Sequence, residues 1–126
     1  MGKITPESIV LAGCLRYLQL RGIYHWRNNT GAVRIRPGQF MSFGKKGSSD
    51  ILGILPDGKF LAVEVKAPDG RLSPEQRQFI QALRDFGGLA VVVKSWQDLD
   101  TALKEAGYSS GGPLFEDHAK SEKVCI

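Results

Sequence analysis

Apolar residues recur along the chain with two spacings, one helical and one strand-like. In LSPEQRQFIQALRDFGG (72–88), Phe79, Ile80, Leu83 and Phe86 fall on one helical stripe. Ser73 caps that helix, Pro74 takes its first position, Gln76 stands at the capping-box position, and Gly87–Gly88 stops it. TPESIVLAGCLRYLQLRG (5–22) opens the same way, with Thr5 as cap, Pro6 first and Glu7 near the positive end of the helix dipole. No charge interrupts it from Ile9 to Leu15, so this helix reads as apolar on most sides and buried, against its own sheet and a partner chain. SWQDLDTALKEAG (95–107) is a third helix, capped by Ser95.

The remaining apolar runs are short and bounded by breakers, as strands are. IYHWR (23–27), ILGIL (51–55), FLAVEVKA (60–67) and LAVVV (89–93) are the predicted strands. NNTG (28–31), PDG (56–58) and PDGR (68–71) are turns. AVRIRPGQFMSFGKKGSS (32–49) is mixed: Val33 and Ile35 alternate with Arg34 and Arg36, then Pro37 and the glycines break any long strand. The order is α-β-β-β-α-β-α. The link from FLAVEVKA through a helix to LAVVV has the length of a parallel crossover, which implies an α/β fold with a mixed sheet and helices on both faces. Residues 1–107 form one domain in this reading, and 108–126 a loose or partner-dependent tail ending in VCI.

Within FLAVEVKA, alternation puts Leu61, Val63 and Val65 on one face and Phe60, Ala62, Glu64 and Lys66 on the other. A solvated strand end would explain Glu64 and Lys66, but a crossover buries both faces of such a strand. A carboxylate there needs a partner, a metal or a cleft. Asp50 heads the preceding strand, and the short PDG turn folds that strand back so that Asp50 comes beside Glu64. Two carboxylates with the Val65 carbonyl make a hard-oxygen shell suited to Mg²⁺ or Mn²⁺. Lys66 stands two residues along on the same face, placed to hold an attacking water or developing phosphate charge. His25 is left as a structural strand histidine.

Charge adds a partner. Residues 1–49 hold eight Lys/Arg and one acid, whereas residues 50–126 hold nine and twelve. A basic half beside an acidic one points to a polyanion. Arg34 and Arg36 are expected to project together from one strand face. Lys45 and Lys46 lie just before Asp50, placed to grip phosphates beside it. Such contacts position nucleic acid without reading its sequence. No apolar run approaches the ~20 residues of a membrane span. The absence of a signal-peptide pattern and the two cysteines, Cys14 and Cys125, fit a reducing cytoplasm rather than secretion.

Asp50 followed by Glu64-Val65-Lys66 at the end of a hairpin, between helices bearing Glu7 and Gln76, resembles the PD-(D/E)XK nuclease superfamily. The stretch GKKGSSDILGILPDGKFLAVEVKAPDGRLSPEQRQFIQALRDFGGLAVVVKS resembles its VRR-Nuc group, the virus-type replication-repair nucleases. The resemblance covers residues 5–106. It implies the restriction-endonuclease-like fold and a metal-dependent phosphodiester hydrolase. Asp50, Glu64 and the Val65 carbonyl would hold the metal and Lys66 would be the catalytic lysine. Gln76 would be the motif glutamine, unless it is only Ser73's capping partner. Glu7 would be the helix acid that helps hold a metal, unless it only favours the dipole. Stand-alone relatives resemble Holliday-junction resolvases and act as homodimers on branched DNA, in repair or in phage; a similar domain forms the nuclease part of the Fanconi-associated nuclease. A C₂ dimer would supply the two sites that symmetric cutting needs, with the first helix and VCI as interface material. The family's proline before the aspartate is Ser49 here. The alternatives are a non-catalytic nucleic-acid-binding module, or a nuclease subunit needing a partner.

Overall fold

The computed structural model describes residues 4–109. Helix α1 (Pro6–Leu20) starts where Thr5 caps it in a capping box with Ser8, and ends before Gly22. Strands β1 (Tyr24–Arg27), β2 (Gly31–Arg36), β3 (Gln39–Phe43), β4 (Ile51–Ile54) and β5 (Phe60–Val65) follow. Helix α2 (Pro74–Asp85), strand β6 (Leu89–Val93) and helix α3 (Trp96–Glu105) complete the order. Ser73 and Ser95 cap α2 and α3 through Gln76 N–H and Asp98 N–H.

One sheet runs β1-β4-β5-β6. β1, β4 and β5 are antiparallel neighbours, and β5 pairs β6 in parallel through the α2 crossover. The predicted mixed sheet with helices on both faces is therefore what forms. Gly53 lies where β4 meets β1 so closely that a Cβ would sit 2.5 Å from the Tyr24 carbonyl oxygen.

Alternation along β5 splits the core. Leu61, Val63 and Val65 pack with Cys14 and Leu18 of α1 and Leu99 and Leu103 of α3. Ala62 packs with Ile80 of α2 and Ala90 of β6. Each large aliphatic side chain buried this way contributes roughly 1.5–3 kcal/mol. Residues 108–109 lie against this body: the Tyr108 hydroxyl donates to Asp57 at 2.7 Å, and Arg21 donates to the Ser109 carbonyl. The rest of the expected tail, with VCI and Cys125, lies outside the described residues.

Three expectations change. The mixed segment is a hairpin: β2 and β3 form a separate two-stranded sheet, so the order is α-β-β-β-β-β-α-β-α. Pro37–Gly38 is its turn, with Gly38 at φ 76, the Pro-Gly pairing of a type II turn. Phe86 leaves the α2 stripe, because the helix is capped at Phe86 and its ring is 93% exposed. Helix α1 buries only Cys14 and Leu18 completely, and Ile9 and Leu20 stand exposed.

Candidate active site

The hairpin register places the site. Ile51 pairs with Val63, so the next step outward sets Asp50 opposite Glu64. The ladder ends there, and the Asp50 side chain replaces the missing strand: its Oδ2 accepts the Val65 N–H at 2.7 Å. A strand residue's N–H and C=O point to the same side. The Val65 carbonyl therefore also faces the Asp50 side, past the end of β4.

Glu64 points to the opposite face from Val63 and Val65 and is 2% exposed. Its Oε2 accepts from Gln76 Nε2 at 3.2 Å and lies 3.7 Å from Lys66 Nζ. Its Oε1 is buried and makes no hydrogen bond among the described residues. Burial, first, and the neighbouring Asp50 carboxylate push the Glu64 carboxyl up to about 8; the Lys66 ammonium pulls it down less than these raise it. Burial beside a second carboxylate disfavours the ionised form of Glu64, and a cation between the two would favour it.

Gln76 is Ser73's capping partner and also touches Glu64. Its Oε1 accepts from Ser73 N–H at 2.9 Å, its own N–H donates to Ser73 Oγ at 3.1 Å, and its amide NH₂ holds Glu64. The cap of α2 thereby ties the helix start to the site carboxylate.

Glu7 lies in the first turn of α1 and lines a cleft of about 210 Å³ with Arg27, Asp50 and Val65. Its charge adds to the upward push on Glu64. Among the described residues, no three His, Cys, Asp or Glu side chains converge on one point. The immediate donors are thus two carboxylates and one carbonyl. That set fits Mg²⁺ or Mn²⁺, because Mg²⁺ keeps several waters and takes one or two carboxylates plus substrate phosphate. The unpartnered Glu64 Oε1 is the donor such an ion would satisfy.

Two residues beside this site escaped the sequence reading. Asn28 Nδ2 donates to Ser48 Oγ at 2.6 Å and to the Ser49 carbonyl at 3.0 Å, and Asn28 N–H donates to the Asp50 carbonyl at 2.8 Å. Asn28 thus fixes the loop that presents Asp50. Arg27 ends β1 on the wall of the same cleft. His25, by contrast, donates Nδ1–H to the Ile23 carbonyl at 2.7 Å, a local tie.

The predicted basic residues are not part of this cleft's lining. Lys45 and Lys46 are exposed on the loop before Asp50. Gly47 lets that loop lie on α2: it has φ 85, and a Cβ would sit 2.6 Å from the Glu75 backbone. Lys46 stands 3.9 Å from Glu75. Arg34 and Arg36 do not share a face as expected. A bulge between them pairs Arg34 with Phe40 and Arg36 with Gln39, and consecutive residues of β3 face opposite ways.

The VRR-NUC domain family model matches residues 14–97, more than half of the chain. Asp50, Glu64, Lys66 and Gln76 fall within the match, and Glu7 precedes it. No curated protein and no solved structure matches the chain.

Proposed function

The chain belongs to the VRR-NUC domain family of nucleases, and from that premise we propose that it is a divalent-metal-dependent, structure-selective DNA endonuclease hydrolysing phosphodiester bonds in branched DNA. The observation that carries this reading is the convergence of Asp50, Glu64 and Lys66 at the open ends of β4 and β5, with one Glu64 oxygen left without a partner.

Asp50, Glu64 and the Val65 carbonyl would hold Mg²⁺ or Mn²⁺, with Glu7 across the cleft. The ion would lower the pKa of a water and offset negative charge on the scissile phosphate. The chain's own residues supply the rest. Val65 N–H fixes one Asp50 oxygen, and Asp50 lines the cleft. Gln76 keeps Glu64 in place from the α2 cap. The Lys66 side chain, 13% exposed, is screened little by solvent, and its Nζ stands where it can orient the attacking water or bind a phosphate oxygen as its charge grows. Arg27, Lys45 and Lys46 would contact phosphates beside the cut, and Arg34 and Arg36 would contact them further out.

A homodimer would pair two such sites across a junction, with the exposed Ile9 and Leu20 of α1 as interface material. Residues 1–107 would act as the nuclease domain and the segment after them as an accessory tail.

The test is cleavage of end-labelled four-way junction, flap and linear duplex with Mg²⁺, with Mn²⁺ and with EDTA. Metal-dependent cutting of branched substrates that disappears in Asp50→Ala and Lys66→Ala supports the reading. Full cleavage by either variant, or cutting in EDTA, overturns it.

A further inference from the structure

Hairpin β2–β3 is the feature that the site does not use. An isolated two-stranded hairpin is marginal in water, and hairpins of this size usually pack on something. Here every residue of both strands is exposed. The exposed set includes large apolar side chains, with Phe40 65% exposed.

The register sorts these side chains by face. Gly31, Val33, Met41 and Phe43 share one face, while Ala32, Arg34, Phe40 and Ser42 share the other. The bulge beside Arg34 brings Arg36 onto the first face, next to the turn. Residues 28–49 carry Arg34, Arg36, Lys45 and Lys46 and no acid at all. Whatever covers the arm must therefore offer both negative charge and an apolar or aromatic surface.

Linear duplex DNA offers only the first, because its base faces are stacked away. A branch point offers both: phosphates crowd there, and where its arms are not stacked on one another the base faces at its centre are open. We propose that the β2–β3 arm is a branch-point reader, in which the Phe40 ring stacks on the open base face at a DNA junction while Arg34, directly opposite Phe40, holds the adjoining phosphate. Base–aromatic stacking is sequence-tolerant, since every base has a π face. The arm leaves the body between Asn28 and Asp50, and a strand of its length reaches roughly 20 Å. A branch point held at Phe40 thus lies within roughly 20 Å of the arm's foot, from which the chain runs on to Asp50. This inference rests on the branched-DNA reading above and gives that reading its structural selector.

The test measures binding in EDTA, so that it does not depend on cutting. Affinities of wild type, Phe40→Ala and Phe40→Trp are compared for a four-way junction and a linear duplex of equal length and salt. The expected result is a junction-to-duplex ratio that falls about tenfold or more in Phe40→Ala and is retained in Phe40→Trp. The new indole should also be quenched by junction more than by duplex. An unchanged ratio in Phe40→Ala, or an indole blind to junction DNA, overturns the proposal. So does a Phe40→Ala protein that sediments as a smaller species than wild type, which would mean the arm covers a second copy of the chain. A protein that binds junctions through Phe40 but never cuts with metal sinks the nuclease reading and leaves this one standing.

Discussion

The Asp50–Glu64–Lys66 cluster and the β2–β3 arm are near neighbours along the chain, Phe43 ending the arm seven positions before Asp50, yet they are held in opposite ways. The cluster sits where β4 and β5 run out, and both its carboxylates are fixed from outside it, Asp50 by Val65 N–H and Glu64 by Gln76, while Asn28 fixes the loop before Asp50. The arm has only its own two strands. Chemistry needs donors held to within fractions of an ångström, so it is built on the core. Recognition of a deformable partner does not, so it can be built on a projection that gains order when bound.

The sharpest break of that contrast is at the cluster. Lys66→Ala should lower the single-turnover cleavage rate at least ~100-fold, the scale of losing one charge-stabilising donor. DNA affinity in EDTA should change little, because the grip is assigned to other residues. A variant that loses binding and cutting together would move Lys66 into the arm's class.

The next effect is on stability. Glu64 is pushed above its ordinary 4.5, up to about 8, chiefly by burial and by Asp50. The unfolded chain releases this proton near 4.5, whereas the folded, metal-free chain keeps it longer. The associated stability is present below pH 4.5 and is lost as pH rises through about 8, a change on the order of a few kcal/mol. Urea unfolding in EDTA at pH 5 and pH 8.5 should show the fall, and Glu64→Gln should flatten it. Added Mg²⁺ should restore stability at the higher pH by mass action and do little for Glu64→Gln. No pH dependence in EDTA would show that Glu64 is ionised without a cation.

Asn28→Ala lies on the border between the regions, since Asn28 joins the foot of the arm to the Asp50 loop. It removes two side-chain hydrogen bonds and should cost about 1–2 kcal/mol of stability. If the loop's position matters for chemistry, kcat should fall about tenfold while KM stays, because a small misplacement of a metal-holding group acts on the reacting geometry. Equal losses in kcat and affinity would assign Asn28 to the arm.

The same contrast decides what could be read from sequence. α1, α2 and α3 are legible through their caps at Thr5, Ser73 and Ser95, and β4, β5 and β6 because burial in the core makes each a short apolar run bounded by breakers. The Asp50–Glu64 pairing was legible because a short turn fixes the register of β4 on β5. The arm was not. Val33 and Ile35 do alternate with Arg34 and Arg36, but Pro37 and Gly38 look like breakers when they are in fact its turn. Phe86 was misplaced for a local reason: the stripe continues to i+3, but the helix stops first. Asn28 carries no local signal, since its partners lie 20 and 21 residues away and only the β1–β4 pairing brings them within reach.

The smallest effects belong to the arm's arginines, and they separate the bulge from plain alternation. If Arg34 and Arg36 shared a face, their alanine variants would weaken DNA binding alike. With the bulge, Arg34 stands opposite Phe40 and Arg36 on the reverse side. Each variant should reduce the salt slope of binding by about one, the signature of one lost phosphate contact. Only Arg34→Ala should also erode the junction-to-duplex ratio, by a few-fold, because it alone adjoins the stacking ring. Neither should shift unfolding by more than about 0.5 kcal/mol, since both side chains are exposed and unpaired with any acid on the arm. Equal loss of selectivity in both variants would place the two arginines on one surface and remove the bulge as the device that aims them.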